Sequence, residues 1–291
     1  MERNSTRSLL LLLKQYGFTD KTLTTIYENE DSILEVIFDK THPFYNKYFD
    51  IYSLKEKDLA RDFNSLVEFS SEFIKKMREY KTKRIKIYYK FSEDFPEYLF
   101  TKDKEPLFLY CYGNLELLNK SLRKVSIIGT RNATKAGELI TKEIVRDYVH
   151  RDWITVSGLA KGIDTIVHQE TIDNNAKTIA VIPTSFENIY PAENKKLYAE
   201  IINKNGLIIS ITGPFEHTYK SSFLERNTIV ARISNEIFVA EASIKSGTLN
   251  TVRKGYENNK TIYYDSSLLN KEVIDYVSRF NAIDVRNKGG R

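Results

Sequence analysis

Cysteine is almost absent from this sequence. The 291-residue chain has one, Cys111, which excludes an intrachain disulfide and a cysteine-based zinc cluster. Histidine is sparse. His42, His150, His168 and His217 show no metal-binding spacing such as HExxH, so no metal site is expected. Long apolar runs are missing too. Leu9–Leu13 is five residues long and closed by Lys14, whereas a secretory core needs about 7–15 apolar residues and a membrane span about 20. The run reads as one buried helix turn in a cytoplasmic protein without a membrane partner. Neither GxGxxG nor a P-loop occurs. No catalytic triad signature is evident either, and the chain reads as a binding protein rather than an enzyme.

What is present is an ordinary globular composition, 41% hydrophobic and 29% charged, with a net charge of +5. That mild basic bias permits nucleic-acid binding without demanding it. Residues 1–83 read as a helical region, with apolar residues at helical spacing in Leu9–Tyr16, Ser32–Phe38 and Leu66–Met77. Gly17 ends the first helix, Thr19 or Asp20 can cap the next, and Pro43 breaks the middle. Residues 84–265 read as a sheet domain, and 266–291 as a short tail. After strand-like Ile85–Tyr89 and Leu107–Tyr112, apolar β-rich runs recur at Val125–Ile128, Ile154–Ser157, Thr178–Ile182, Leu207–Ser210, Glu236–Ala240 and Thr261–Tyr264. Amphipathic segments such as Ala136–Val149 and Thr165–Asn174 lie between them. The strands start about 25–30 residues apart, the length of a βαβ unit. The expected fold is α/β, an open, doubly wound, mostly parallel sheet.

In such sheets ligands bind beyond the carboxyl ends of the strands. The first loop there, Gly129-Thr130-Arg131 to Thr134, offers a tight turn, hydroxyls, a helix start and a bidentate phosphate donor. It also reads as a capped helix with an exposed arginine. The second, Ser157 to Asp164, sets Lys161 between Gly158 and Gly162. Asp164 can cap the next helix, and His168 reads as a packing histidine ahead of a catalytic one. The third carries Tyr190-Pro191, an extended step in which Tyr190 stacks on a base or fills space. The fourth is long, Thr212 to Ser222, and brings Lys220 close to Phe223 and then Arg226-Asn227. Single-strand binders use a cation beside an aromatic ring in this way. The fifth holds Glu241, a ribose partner, a base or a loop cap, and then Ser246-Gly247-Thr248, a second anion-binding helix start.

The order of these loops closely resembles the DNA-processing protein A family (DprA, also called Smf). GTRNAT, SGLAKGID with His168, IYPAEN, Phe223 with ERN, and EA followed by SGTL occur in sequence, preceded by DFPEYL. The resemblance runs from about Phe95 to Tyr264. The helical N-terminus is only vaguely similar to the small helical domain of that family. The chain departs from the family pattern at Ser210-Ile211, Ser185-Phe186 and Tyr263-Tyr264-Asp265-Ser266. The resemblance implies an extended Rossmann-like domain without a cofactor that binds single-stranded DNA, forms a homodimer and loads the recombinase RecA in recombination and natural transformation. It implies DNA contacts at Arg131, Lys220 and Phe223, to which the reading of the loops adds Lys161, Arg226 and Asn227. The pocket would be shaped by Gly129, Thr130, Ser157, Gly158 and Gly247, with Thr134, Glu241, Ser246 and Thr248. The competing readings are a sensor of a signalling nucleotide and a nucleotide N-glycosidase-like enzyme, in which Glu241 and the Ser246–Thr248 turn would hold ribose and phosphate.

Overall fold

The computed structural model describes residues 2–244 and 246–287. The chain divides into two compact units. The first comprises residues 1–95, 106–109 and 213–216. Its helices are α1 (Glu2–Tyr16), α2 (Asp20–Asn29), α3 (Ile33–Phe38), α4 (Tyr45–Phe49), α5 (Leu54–Leu59) and α6 (Phe63–Thr82), followed by strand β1 (Lys86–Tyr89). Polar side chains cap the starts of α2, α5 and α6. The Thr19 hydroxyl accepts the Thr22 amide at 3.2 Å, Ser53 and Glu56 form a reciprocal cap, and Asp62 accepts the Ser65 amide at 2.9 Å. Gly17 ends α1 at φ +131°, a conformation that costs an L side chain dearly. Leu10, Leu13, Phe18, Leu23, Ile26, Val36 and Ile37 are buried. The leucine run is therefore a helix turn facing a core. Among the described residues no helix is long and apolar enough to cross a membrane.

The second unit holds residues 96–105, 110–212 and 217 onward. In chain order its elements are β2 (Phe108–Gly113, which enters the unit at Tyr110), β3 (Lys124–Gly129), α7 (Lys135–His150), β4 (Ile154–Ser157), α8 (Ile163–Asp173), β5 (Thr178–Ile182), α9 (Lys195–Asn203), β6 (Leu207–Ser210), α10 (Lys220–Ile233), β7 (Glu236–Glu241), α11 (Thr248–Glu257), β8 (Thr261–Tyr264), α12 (Lys271–Ser278) and β9 (Ile283–Asp284). The strands lie in the order β2-β6-β5-β4-β3-β7-β8-β9. All neighbours are parallel except β2 against β6. Four of the apolar runs are strands with the ends expected from sequence.

Both faces of this sheet are covered. On one, Val145 and Tyr148 of α7 and Ile163 and Val167 of α8 pack on Val125, Ile127, Phe238 and Ala240. Leu197 and Ile201 of α9 cover Ala180, Ile182 and Ile208. On the other, α10 packs on β3 and β5, and α11 on β7 and β8. There the buried Ser126 hydroxyl donates to the Val230 carbonyl at 2.6 Å. Double cover explains why the strands read as continuous apolar runs.

Three local readings change. Lys220 and Phe223 lie on the first turn of α10 rather than in a loop, because the Ser222 hydroxyl accepts the Tyr219 amide at 3.2 Å and starts the helix. Asp164 does not cap α8, whose N-cap is Gly162. Residues 266–287 are not a bare tail. They supply α12 and β9, with Tyr263 opposite Ile283 in a parallel register.

Candidate nucleic-acid interface

The strand order fixes where a ligand can sit. β4, β5 and β6 follow β3 in one direction, while β7 and β8 lie on its other side. The reversal between β3 and β7 splays their following loops apart, and open α/β sheets bind ligands at such a switch point. A cavity of about 390 Å³ occupies it. Its lining includes Gly129, Thr130 and Arg131 after β3, Gly158 after β4, Phe223, Arg226 and Asn227 of α10, and Ser246, Gly247 and Thr248 at the start of α11.

Close backbone approach holds the loops in place. The Ile163 amide donates to the Thr130 carbonyl at 3.1 Å. Between them Gly162 has φ +73°, and a side chain there would meet the Thr130 carbonyl oxygen at 2.4 Å. The Thr248 hydroxyl donates to the Gly129 carbonyl at 2.9 Å, tying the α11 start to the first loop. Asn227 Nδ2 reaches the Gly247 carbonyl at 3.4 Å. The buried Ser246 hydroxyl has no hydrogen-bond partner among the described residues.

The floor is charged. Arg226 is only 6% exposed. Its Nη1 is 3.8 Å from Asp164 Oδ2 and donates to the Val181 carbonyl at 3.4 Å, while Nε has no partner among the described residues. Asp164 also accepts the amides of Gly158 at 3.2 Å and Ala160 at 3.3 Å. Burial lowers the Arg226 pKa, Asp164 opposes that, and the neighbouring Arg131 adds like-charge repulsion. Two guanidinium groups against one carboxylate make the cavity attractive to anions. At its mouth the Arg131 guanidinium lies 6.0 Å from the Phe223 ring centroid, and Tyr190, half exposed, meets the same ring edge-on at 5.9 Å.

The other sequence-predicted residues stand outside that lining. Ser157 is buried and its hydroxyl donates to the Ile127 carbonyl at 2.8 Å. Lys161 is exposed and pairs with Glu193 at 2.6 Å, a bond that raises the Lys161 pKa. Lys220 is exposed at the head of α10. The Thr134 hydroxyl caps α7 by accepting the Gly137 amide at 2.9 Å. Glu241 accepts the Thr134 amide at 3.0 Å, so a carboxylate of the chain itself sits at the α7 N-terminus. His168 is fully buried, with Nδ1 2.7 Å from the Thr178 hydroxyl. Burial first, and Arg226 second, push its pKa down to about 3, so the ring is neutral and packed. The Asp164–Arg226 pair is what sequence reasoning missed. Its members are 62 positions apart in the chain, and only the packing of α8 and α10 around the strand ends brings them together.

A Rossmann-like sheet with a cationic, aromatic-rimmed cavity at its switch point defines a protein of the doubly wound α/β class. A family profile, DNA recombination-mediator protein A, matches residues 86–277, and the chain belongs to that family. It is 37% identical over 158 residues to DNA processing protein DprA of Streptococcus pneumoniae, covering 54% of this chain and 55% of the relative. With DprA of Bacillus subtilis it shares 33% over 172 residues, 59% and 57% of the two chains. The chain thus spans little more than half the length of these relatives. Among solved structures, S. pneumoniae DprA aligns with a TM-score of 0.66 at 25% identity, over 96% of this chain and 94% of that one. DNA processing protein A of Helicobacter pylori, described for its single-stranded DNA binding mode, aligns at 0.61 with 30% identity, over 70% and 91%.

Proposed function

We propose that this protein binds single-stranded DNA at the switch-point cavity and acts as a recombination mediator. The observation that carries the reading is the Arg131 guanidinium on the Phe223 ring, with Tyr190 edge-on beside it, at the mouth of a cavity floored by Arg226. Cations track the phosphodiester backbone, and an aromatic face stacks any base without reading its sequence. In this reading Arg131, Lys220 and Asn227 contact backbone, and Phe223 stacks a base. The Ser246–Thr248 turn receives a phosphate at the head of α11, where the first helical amides lack intrahelical partners. Lys161 is a peripheral contact that must first leave Glu193. Arg226 contributes charge from below. The family and the H. pylori relative support the ligand class.

The physiological role follows from the resemblance: a cytoplasmic homodimer that protects single-stranded DNA and hands it to RecA during recombination or natural transformation. Analytical ultracentrifugation tests the dimer, and co-sedimentation with RecA on DNA tests the hand-over. The enzyme reading needs a free carboxylate. Glu241 instead accepts the Thr134 amide, and the present reading makes it a cap rather than a base. The direct test is a mobility shift of oligo-dT at low salt, with nucleoside monophosphates incubated in parallel. No shift sinks the DNA reading, and released free base establishes hydrolysis instead.

A further inference from the structure

The end of α6 carries a concentration of positive charge that lies outside the cavity and is only partly paired. From Lys75 to Lys90 the chain has eight cations, Lys75, Lys76, Arg78, Lys81, Lys83, Arg84, Lys86 and Lys90, and one carboxylate, Glu79. That surplus of seven exceeds the +5 of the entire chain. Lys76 takes Glu79 at 2.6 Å, with Lys75 and Lys83 in its wider field, and Lys86 pairs with Asp94 at 2.6 Å. Lys75, Arg78, Lys81, Lys83 and Arg84 are all exposed. Among the described residues none of these five makes a salt bridge.

Cations near a helix C-terminus are favourable in their own right, so the cluster alone would read as a solvated helix end. Arg84 argues otherwise. The Ile85 amide donates to the Tyr80 carbonyl at 2.9 Å and the Arg84 amide to the Lys81 carbonyl at 3.0 Å. This is the Schellman pattern, with Arg84 at the left-handed position, φ +58°. Glycine is the cheapest residue there, and asparagine or aspartate is tolerated best among the others. The chain follows that rule at four other helix ends, placing Asp152 after α7, Asn175 after α8, Asn205 after α9 and Asn259 after α11, all at positive φ. After α6 it places an arginine, whose side chain makes no hydrogen bond or salt bridge among the described residues. The turn does not explain that choice, but a polyanionic ligand does.

We infer that the exposed Lys75–Arg84 cluster at the end of α6 is a second binding surface, for the phosphodiester backbone of a nucleic acid. The composition favours nucleic acid over a protein partner. Protein interfaces are depleted in lysine, whereas sequence-independent nucleic-acid binding is carried by lysine and arginine on phosphates. The ligand rests on the reading given above, but the surface belongs to the first unit and is tested separately.

The test uses the full chain and a variant with Lys81→Gln, Lys83→Gln and Arg84→Asn, the last of which suits the left-handed turn. A charge-matched control carries Lys40→Gln, Lys55→Gln and Lys271→Gln, all exposed positions. Oligo-dT affinity is measured across a salt series. Each single-strand phosphate contact contributes about 0.7 to the slope of log K against log salt, so the cluster variant should lose about 2 from the slope while the control keeps it. Cooperative melting of both variants shows that each is folded. Equal slopes in the cluster variant and control overturn the inference and leave the cavity reading standing. If the wild type binds no oligo-dT, the cavity reading has failed, and retention on heparin decides the cluster. Earlier elution of the cluster variant than of the control supports it, and co-elution overturns it.

Discussion

The Arg226 guanidinium fills the space that a side chain on Gly158 would need. A Cβ built there would lie 1.3 Å from Arg226 Nη1 and 2.9 Å from Asp164 Oδ2. The glycine and the buried ion pair are one device, and it shapes the floor of the cavity.

Gly158→Ala should therefore be severe. It must expel Arg226 or move the loop, and breaking a buried charge pair costs about 3–5 kcal/mol. Gly247→Ala in the same cavity should be mild. Among the described residues its added Cβ meets nothing nearer than Asn227 Nδ2 at 3.7 Å, so stability should stay within about 0.5 kcal/mol. Urea denaturation of both variants checks the contrast. Equal losses would contradict the packing described here.

Much of this was legible in sequence. Strand positions followed from short apolar runs, because a doubly covered strand has no polar face. Gly129, Arg131, Phe223 and Gly247 follow strands or open helices, where α/β sheets bind ligands. The Asp164–Arg226 pair was not legible, since nothing local in either sequence neighbourhood signals the other. The start of α10 was misplaced because the cap at Tyr219–Ser222 resembles no common N-cap signature. The strand β9 is two residues long, too short to carry a period.

Stability should fall in mild acid through His168. Its folded pKa, about 3, lies below the ordinary value near 6.5. The unfolded chain therefore binds a proton that the folded chain refuses. The contribution is intact above about pH 6.5 and is lost as pH drops toward 3, by up to about 1.4 kcal/mol per pH unit. Subtracting the pH–stability curve of His168→Asn from that of wild type should isolate this slope. A flat difference between pH 4 and 6 would count against a buried neutral imidazole.

Glu241→Gln tests the cap at α7. The carboxylate accepts the Thr134 amide and complements the helix dipole. Its neutralisation should lower stability by about 0.5–1 kcal/mol without weakening oligo-dT binding. A large loss of DNA affinity with unchanged stability would move Glu241 from cap to ligand contact.

Phe223→Ala should weaken oligo-dT binding by about 1–3 kcal/mol, the range for one base–aromatic stack, with little change in the salt slope. Tyr190→Ala should lose less, since its ring meets Phe223 by the edge. Fluorescence anisotropy with labelled oligo-dT reads both. A larger effect at Tyr190 would make it the stacking platform instead.

On the proposed reading, single-stranded DNA lies across the mouth of the switch-point cavity, held by Arg131 there and by Lys220 at the exposed head of α10. The most direct measurement is the oligo-dT dissociation constant at fixed salt for wild type, Arg131→Ala and Lys220→Ala, each shown to fold by its melting curve. The account predicts a loss of about 1–3 kcal/mol in each variant, roughly fivefold to 150-fold. Folded variants that bind oligo-dT as tightly as wild type would contradict it.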